Sequence, residues 1–150
     1  MEEKEFKHKI KLVVRFSDLD AMRHVNNAAY LSYLEEARIA YFNDVLGRAK
    51  NSLEFGAVIA RIEIDYLQPI VLGDELEIFT RVSKIGNKSS DIEHIIIIQR
   101  GNNRIVASKS LTKLVSYDYR KLESVPLPES VKNKILAYEA GELSNSSPFF

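Results

Sequence analysis

Between Ser17 and Asn27 the chain places two carboxylates, Asp18 and Asp20, an imidazole, His24, and two amides, Asn26 and Asn27, directly ahead of a long apolar segment. An asparagine there can accept a hydrogen bond from one of the unpaired N–H groups in the first turn of a helix. That accounts for one amide and leaves the acids and the histidine unexplained. A helix start also carries a partial positive potential, so a remaining N–H can hold a carbonyl oxygen that gains negative charge during acyl transfer. A carboxylate beside it can attack the carbonyl or activate a water. Removing one oxyanion donor typically costs about 3–4 kcal/mol, and a positioned general base contributes about 10²–10⁴ in rate. Together they suffice for a modest hydrolase that uses neither metal nor serine.

These groups need elements to hold them. Residues 9–16 alternate, with Ile10, Leu12, Val14 and Phe16 on one side and Lys9, Lys11, Val13 and Arg15 on the other, which predicts a half-buried strand. From Ala28 to Leu46 the apolar residues Tyr30, Leu34, Ala37, Tyr41 and Val45 recur at helical spacing, and Gly47 suits a left-handed C-cap. On that helix Ser32, Glu36 and Asn43 form one narrow polar stripe, so protein is expected to wrap it on most sides. Strands are expected near 57–67, 75–84, 89–99 and 104–117, separated by the turn-forming stretches QPIVLGD, IGN and RGNNR. Gaps this short exclude crossover helices, so neighbouring strands should be antiparallel. The run HIIII predicts a central strand covered by the helix on one face and by another subunit on the other, with His94 a packed or edge histidine rather than a ligand. Pro128 and Glu129 open a short C-terminal helix whose apolar side holds Val131, Ile135 and Leu136, and residues 139–150 read as a loose tail. The expected architecture is a single α+β domain over residues 1–150, with one long helix embraced by an antiparallel sheet of about five strands.

Composition narrows the partners. Lys and Arg balance Asp and Glu at 21 each, which removes the broad positive field that nucleic-acid binding uses. Hydrophobic residues at 45% can build a core in 150 residues. With no cysteine there is no disulfide, thiolate nucleophile or zinc–thiolate site. The start MEEKEFKHK lacks a signal-peptide core, and the run Ile95–Ile98 is far shorter than the roughly 20 residues that cross a bilayer. A cytoplasmic protein without a membrane span is expected.

The order D-x-D-A-x-x-H-V-N-N-x-x-Y-L-x-Y-x-E-x-A-R, Asp18 to Arg38, resembles the acyl-CoA thioesterases of the 4-hydroxybenzoyl-CoA thioesterase type, which have the hotdog fold. The stretch IEIDYLQPIVLGDELEI, residues 62–78, is similar to the family's second and third strands, so the resemblance covers most of residues 10–117. It implies an acyl-CoA substrate hydrolysed to a free acid and coenzyme A. The catalytic carboxylate would be Asp20, as nucleophile or general base, and the oxyanion donor a helix-start amide near Asn27. His24 would hold the loop, bind substrate or assist catalysis. The family's helix glutamate falls on Glu35, which would face the site or a partner subunit, or pair with Arg38. Coenzyme A phosphates call for cations, for which Arg23 and Arg61 are candidates, with Asn26 beside them as a substrate-binding residue and Arg81, Lys84 and Lys88 behind them. The resemblance also implies a homodimer or homotetramer with the site at a subunit boundary.

Two departures stand out. Many members of the resembled family carry glycine where this chain has Arg23, so the loop path or the approach of coenzyme A should differ. Plant acyl-carrier-protein thioesterases with a similar motif use an asparagine where this chain has Met22, which removes that amide from any mechanism. Asp18 is expected to brace the turn. Asp18, Asp20 and His24 are chemically suitable metal ligands, but nothing nearby completes a set, so neither metal nor cofactor is expected. The alternatives are a hotdog dehydratase acting on hydroxyacyl thioesters with His24 as base, and a non-catalytic acyl-CoA-binding module.

Overall fold

The alternation between residues 9 and 16 becomes β1, His8–Val13, in the computed structural model, which describes residues 1–47, 56–139 and 144–145. Ile10 and Leu12 are half-buried while Lys9, Lys11 and Val13 are exposed. The strand ends earlier than its pattern predicts, because the Asp18 Oδ2 accepts the Arg15 N–H at 3.0 Å and coils Phe16–Asp18 into one 3-10 turn. Phe16 is therefore 80% exposed instead of continuing the buried side. Helix α1, Asn27–Leu46, follows and stops at Gly47, whose φ of +86° is the expected left-handed stop.

The other long strands are β2, Ala57–Tyr66, β3, Glu75–Ile85, β4, Ser89–Arg100, and β5, Asn103–Asp118. They assemble in the order β1-β3-β4-β5-β2, with β1 antiparallel to β3. The connections after β3 and β4 are tight hairpin turns, as the breaks IGN and RGNNR predict. A two-residue strand β6, Glu123–Ser124, pairs with β5, and helix α2, Glu129–Glu139, follows. Most of the expected tail lies outside the described residues; within it, the short β7, Ser144–Asn145, lies parallel to β3.

Contacts divide the chain into two compact units, one formed by Met1–Tyr41, Ile64–Thr80 and His94–Ser110, the other by Phe42–Glu63, Arg81–Glu93 and Leu111–Phe150. In the first, Tyr30, Tyr33, Leu34 and Ala37 of α1 pack with Leu76, Ile78, Ile96, Ile98 and Ala107. Full burial of one such aliphatic or aromatic side chain contributes about 1.5–3 kcal/mol. The alternate residues Ile95 and Ile97 meet Phe79, Phe6 and Met1. The second face of the HIIII strand is thus covered by the chain's own N-terminal segment, not by another subunit as expected. His94 is fully buried, its Nδ1 3.0 Å from the Thr80 hydroxyl, and burial with the nearby Arg38 charge holds it neutral by lowering its pKa to about 3. In the second unit, Ile135 anchors α2 and the buried Glu139 carboxylate accepts the Val82 N–H at 3.3 Å.

The expectation that α1 is wrapped on most sides is not met within one chain. Leu31 and Ile39, 37% and 43% exposed, stand beside the exposed Ser32, Glu35 and Glu36, so the open face is wider than the predicted stripe and partly apolar. Among the described residues no helix is long and apolar enough to cross a membrane.

The turn between β2 and β3 is closed jointly by a side chain and by backbone geometry. The Asp74 carboxylate accepts the Val71 N–H at 2.9 Å, and Gly73 has φ of +92° with open space where a Cβ would stand. Gly73→Ala therefore adds only conformational strain, and should lower stability by about 1–2 kcal/mol. Urea denaturation checks this; an unchanged midpoint would show that the left-handed position is not demanded.

Candidate active site

The polar stretch ahead of α1 folds as a tight loop because its own side chains take up its backbone donors. Asp20 Oδ1 accepts the N–H groups of Met22 at 2.9 Å and His24 at 3.2 Å, while the Asp20 N–H reaches the His24 carbonyl at 2.8 Å and the Arg23 N–H reaches the Asp20 carbonyl at 3.0 Å. This is an Asx-type turn. Arg23 sits at φ +63°, in the left-handed region where glycine has no Cβ penalty. The arginine therefore holds a left-handed position that glycine would adopt without steric cost.

Asp18 braces the loop from its other end. Its Oδ2 accepts the Tyr33 hydroxyl at 2.6 Å as well as the Arg15 N–H, and its backbone carbonyl accepts the Asn26 N–H at 2.7 Å. Desolvation works against its charge, but the hydrogen bonds from Tyr33 and Arg15 and the Arg15 charge outweigh it and lower the Asp18 pKa. Burial, followed by that same bond to Asp18, pushes the Tyr33 hydroxyl well above its ordinary range. Both aspartates thus brace backbone, where the sequence pattern points to Asp18 alone.

Asn26 is the helix cap. Its Oδ1 accepts the Ala28 N–H at 2.9 Å and its carbonyl accepts the Ala29 N–H at 2.9 Å. The Asn27 N–H, at the positive end of α1, is taken up by none of the described residues. Asn27 lines an open depression of about 280 Å³ together with Asp20, His24, Val25, Tyr30, Tyr66, Leu67, Gln68 and Pro69. Three of the four expected catalytic residues, Asp20, His24 and Asn27, share this space. Asn26, Arg23, Glu35 and Arg61 are not among its lining residues. Glu35 instead borders a second depression with Ser32, Glu36 and Ile39, and Arg61 pairs with Glu63. No ion pair joins Glu35 to Arg38 among the described residues; the Glu35 charge only opposes the desolvation of the buried Arg38.

The opposite wall is scarcely visible in the chain's pattern. Tyr66 donates its hydroxyl to the Asn27 carbonyl at 3.1 Å, Tyr30 donates to the Gln68 carbonyl at 3.2 Å, and the two rings meet edge to face with centroids 4.8 Å apart. These contacts tie the first turn of α1 to residues 66–69. The only available signal was the turn chemistry of QPIVLGD, which marks a break between strands and nothing about what it faces. Among the described residues no three His, Cys, Asp or Glu side chains stand together as metal ligands.

A family model described as the thioesterase-like superfamily matches residues 14–135. A solved structure described as a thioesterase complexed with coenzyme A and zinc, from Thermus thermophilus, is 40% identical to this chain, with a TM-score of 0.80 over 91% of this chain and 97% of that one. Long-chain acyl-CoA thioesterase FadM of Escherichia coli strain K12 is 29% identical over 128 residues, 83% of this chain and 94% of that protein. The uncharacterized protein YsmA of Bacillus subtilis strain 168 is 33% identical over 85 residues, and the match spans 57% of each chain.

The Tyr33–Asp18 bond tests the loop's bracing. Asp18 has a folded pKa below its unfolded value, so its stabilisation is complete above the ordinary carboxylate range and is lost as pH falls through the lowered folded value. Tyr33→Phe should cost about 1.5–3 kcal/mol at neutral pH, the usual loss for a hydrogen bond to a charged group. The deficit should narrow once the pH drops below about 4, where the carboxyl begins to protonate in the unfolded chain. Denaturation curves recorded across pH give the answer; a deficit independent of pH would place the loss in packing rather than in this bond.

Proposed function

Because the chain belongs to the thioesterase-like superfamily, with the hotdog fold, we propose that it is an acyl-CoA thioesterase, releasing a free acid and coenzyme A from an acyl-CoA. The reading rests on one observation: Asp20 and Asn27, whose N–H has no partner among the described residues, border the same open depression at the start of a 20-residue helix. The thioester carbonyl oxygen takes the Asn27 N–H, and the partial positive charge of the helix end favours the oxyanion as it forms.

Asp20 Oδ1 is committed to the Met22 and His24 amides, which fixes the carboxylate and leaves Oδ2 outside those bonds. Oδ2 acts in one of two ways. As nucleophile it forms a mixed anhydride that water then opens; as general base it takes a proton from the water that attacks the carbonyl carbon. In both the C–S bond breaks and the departing thiolate takes a proton. His24, which lines the same depression, contacts the substrate in this reading.

Glu35 and Arg61 find their roles in a second copy of the chain. Among the described residues β2 ends the sheet order and pairs on one edge alone, and it is mostly exposed, with Ile59 46% accessible, so its other edge is suited to pairing with another β2. A homodimer, or a tetramer built from two, would bring Glu35 and Arg61 to the partner's depression, with Arg61 and Arg23 available to coenzyme A phosphates. Light scattering at micromolar concentration should return at least a dimer, and a monomer that hydrolyses acyl-CoA at full rate would contradict a shared site.

The direct test is Asp20→Asn. Asparagine keeps an oxygen for the Met22 and His24 N–H groups, so the loop and the melting temperature should be retained while turnover falls by about 10²–10⁴, the contribution of a positioned base. Free-thiol release from short, long and aromatic acyl-CoAs measures it. Near-normal turnover by the variant would remove Asp20 from the chemistry, and acyl-CoA binding without thiol release by the wild type would make the protein a binding module.

A further inference from the structure

The depression's two walls meet at the turn between β2 and β3, and that turn is held by a pair that the hydrolytic mechanism does not use. Arg100, the last residue of β4, donates from Nε to Asp74 Oδ1 at 2.8 Å and from Nη2 to Asp74 Oδ2 at 2.8 Å, a two-bond fork. The same Nη2 reaches the Pro69 carbonyl at 3.1 Å, and the same Oδ2 accepts the Val71 N–H. Both ends of the turn, Pro69 and Asp74, are therefore fastened to one guanidinium on a rigid strand.

The catalytic loop is fastened to that turn in its middle. The Val25 N–H donates to the Ile70 carbonyl at 2.8 Å, and His24 forms an antiparallel bridge with Val71. Ile70 is fully buried, so this attachment point cannot drift independently of the core. Pro69 and Gln68 line one wall of the depression, and Asp20, His24 and Val25 line the other.

We propose that Arg100 and Asp74 are positioning residues for the thioester hydrolysis, acting through residues 69–71 to hold the Asp20–Asn27 loop against the helix start. This rests on the hydrolytic reading for its effect on rate, while its effect on loop geometry stands by itself. The Asp74 side chain is only 6% exposed, so its charge depends on the guanidinium beside it. The fork, more than the backbone bond from Val71, lowers the Asp74 pKa despite burial. A lysine at position 100 supplies charge but cannot give two parallel bonds and a third to Pro69 from a planar head. The turn then loosens at both ends, and the loop hung from its middle shifts with it. A misplacement of the order of 1 Å at reacting groups can cost about 10²-fold in rate.

The test uses Arg100→Lys and Asp74→Asn in the full chain, with Lys113→Met, which removes the ion pair to Asp91 in the other compact unit, as the control for general destabilisation. We expect both fork variants to lower kcat by about 10-fold or more, as small misplacements do, with KM little changed. Exchange of the Val25 amide with deuterium should quicken by a similar factor while the Ile96 amide in the core keeps its wild-type rate. Wild-type kcat in both variants overturns the proposal. So does a loss of kcat accompanied by equal acceleration at Val25 and Ile96, which the control should also show if stability alone is responsible. If the wild type releases no thiol from any acyl-CoA, the hydrolytic reading fails separately, and the Val25 exchange rate still decides whether the fork holds the loop.

Discussion

The first N–H groups of any α-helix have no carbonyl four residues earlier to receive them, and at α1 the chain supplies replacements for all but one near the site. Asn26 takes up Ala28 and Ala29 and leaves Asn27 without a partner among the described residues. An unpaired donor is costly when buried and ordinary when open to water, and here it borders an open depression. The donor can serve a substrate only if it stays fixed. The surrounding contacts restrain this helix start: Tyr66 on the Asn27 carbonyl, Tyr33 on Asp18, and the Asp18 carbonyl on the Asn26 N–H.

Asp20 solves a related problem. A carboxylate on a freely moving side chain loses most of its encounters with a bound acyl carbon, and ordering it costs side-chain entropy at every turnover. Two backbone N–H groups on one oxygen restrain the side chain, and in the proposed hydrolysis this order is in place before substrate binds. The sequence DAMRH makes this possible because the aspartate is followed by residues whose amides fold back on it, and Arg23 accepts the left-handed backbone that closes the turn. The second oxygen takes no part in those two bonds, which is what the proposed hydrolysis requires of it.

Much of this was legible in the chain. Local periodicity predicted α1 to within one residue and β2 through β5 to within a residue or two, since alternation and helical spacing are properties of neighbours. The residue types between Ser17 and Asn27 likewise announced the candidate site. What failed depends on groups distant in sequence or on a side chain that captures backbone. The Arg15 N–H captured by Asp18 ended β1 early and turned Phe16 outward. Phe6 and Met1 covered Ile95 and Ile97, a contact across most of the chain that periodicity cannot report. The Arg100–Asp74 fork and the Tyr66 hydroxyl were invisible for the same reason: Arg100 reads as the start of the turn-forming stretch RGNNR, and Tyr66 as one residue of a strand. Glu35 and Arg61 were drawn from a family resemblance, and neither is among the residues that line the depression.

Whether the Asn27 amide receives the thioester oxygen decides the mechanism. It is tested most directly by following the backbone amide resonances while adding an acyl-CoA analogue in which a methylene replaces the thioester sulfur, leaving a ketone that cannot be hydrolysed. The Asn27 amide proton should move strongly downfield in proportion to occupancy and become protected from exchange, ahead of any other amide in α1. A saturated complex in which Asn27 is unmoved and still exchanges freely would contradict that role.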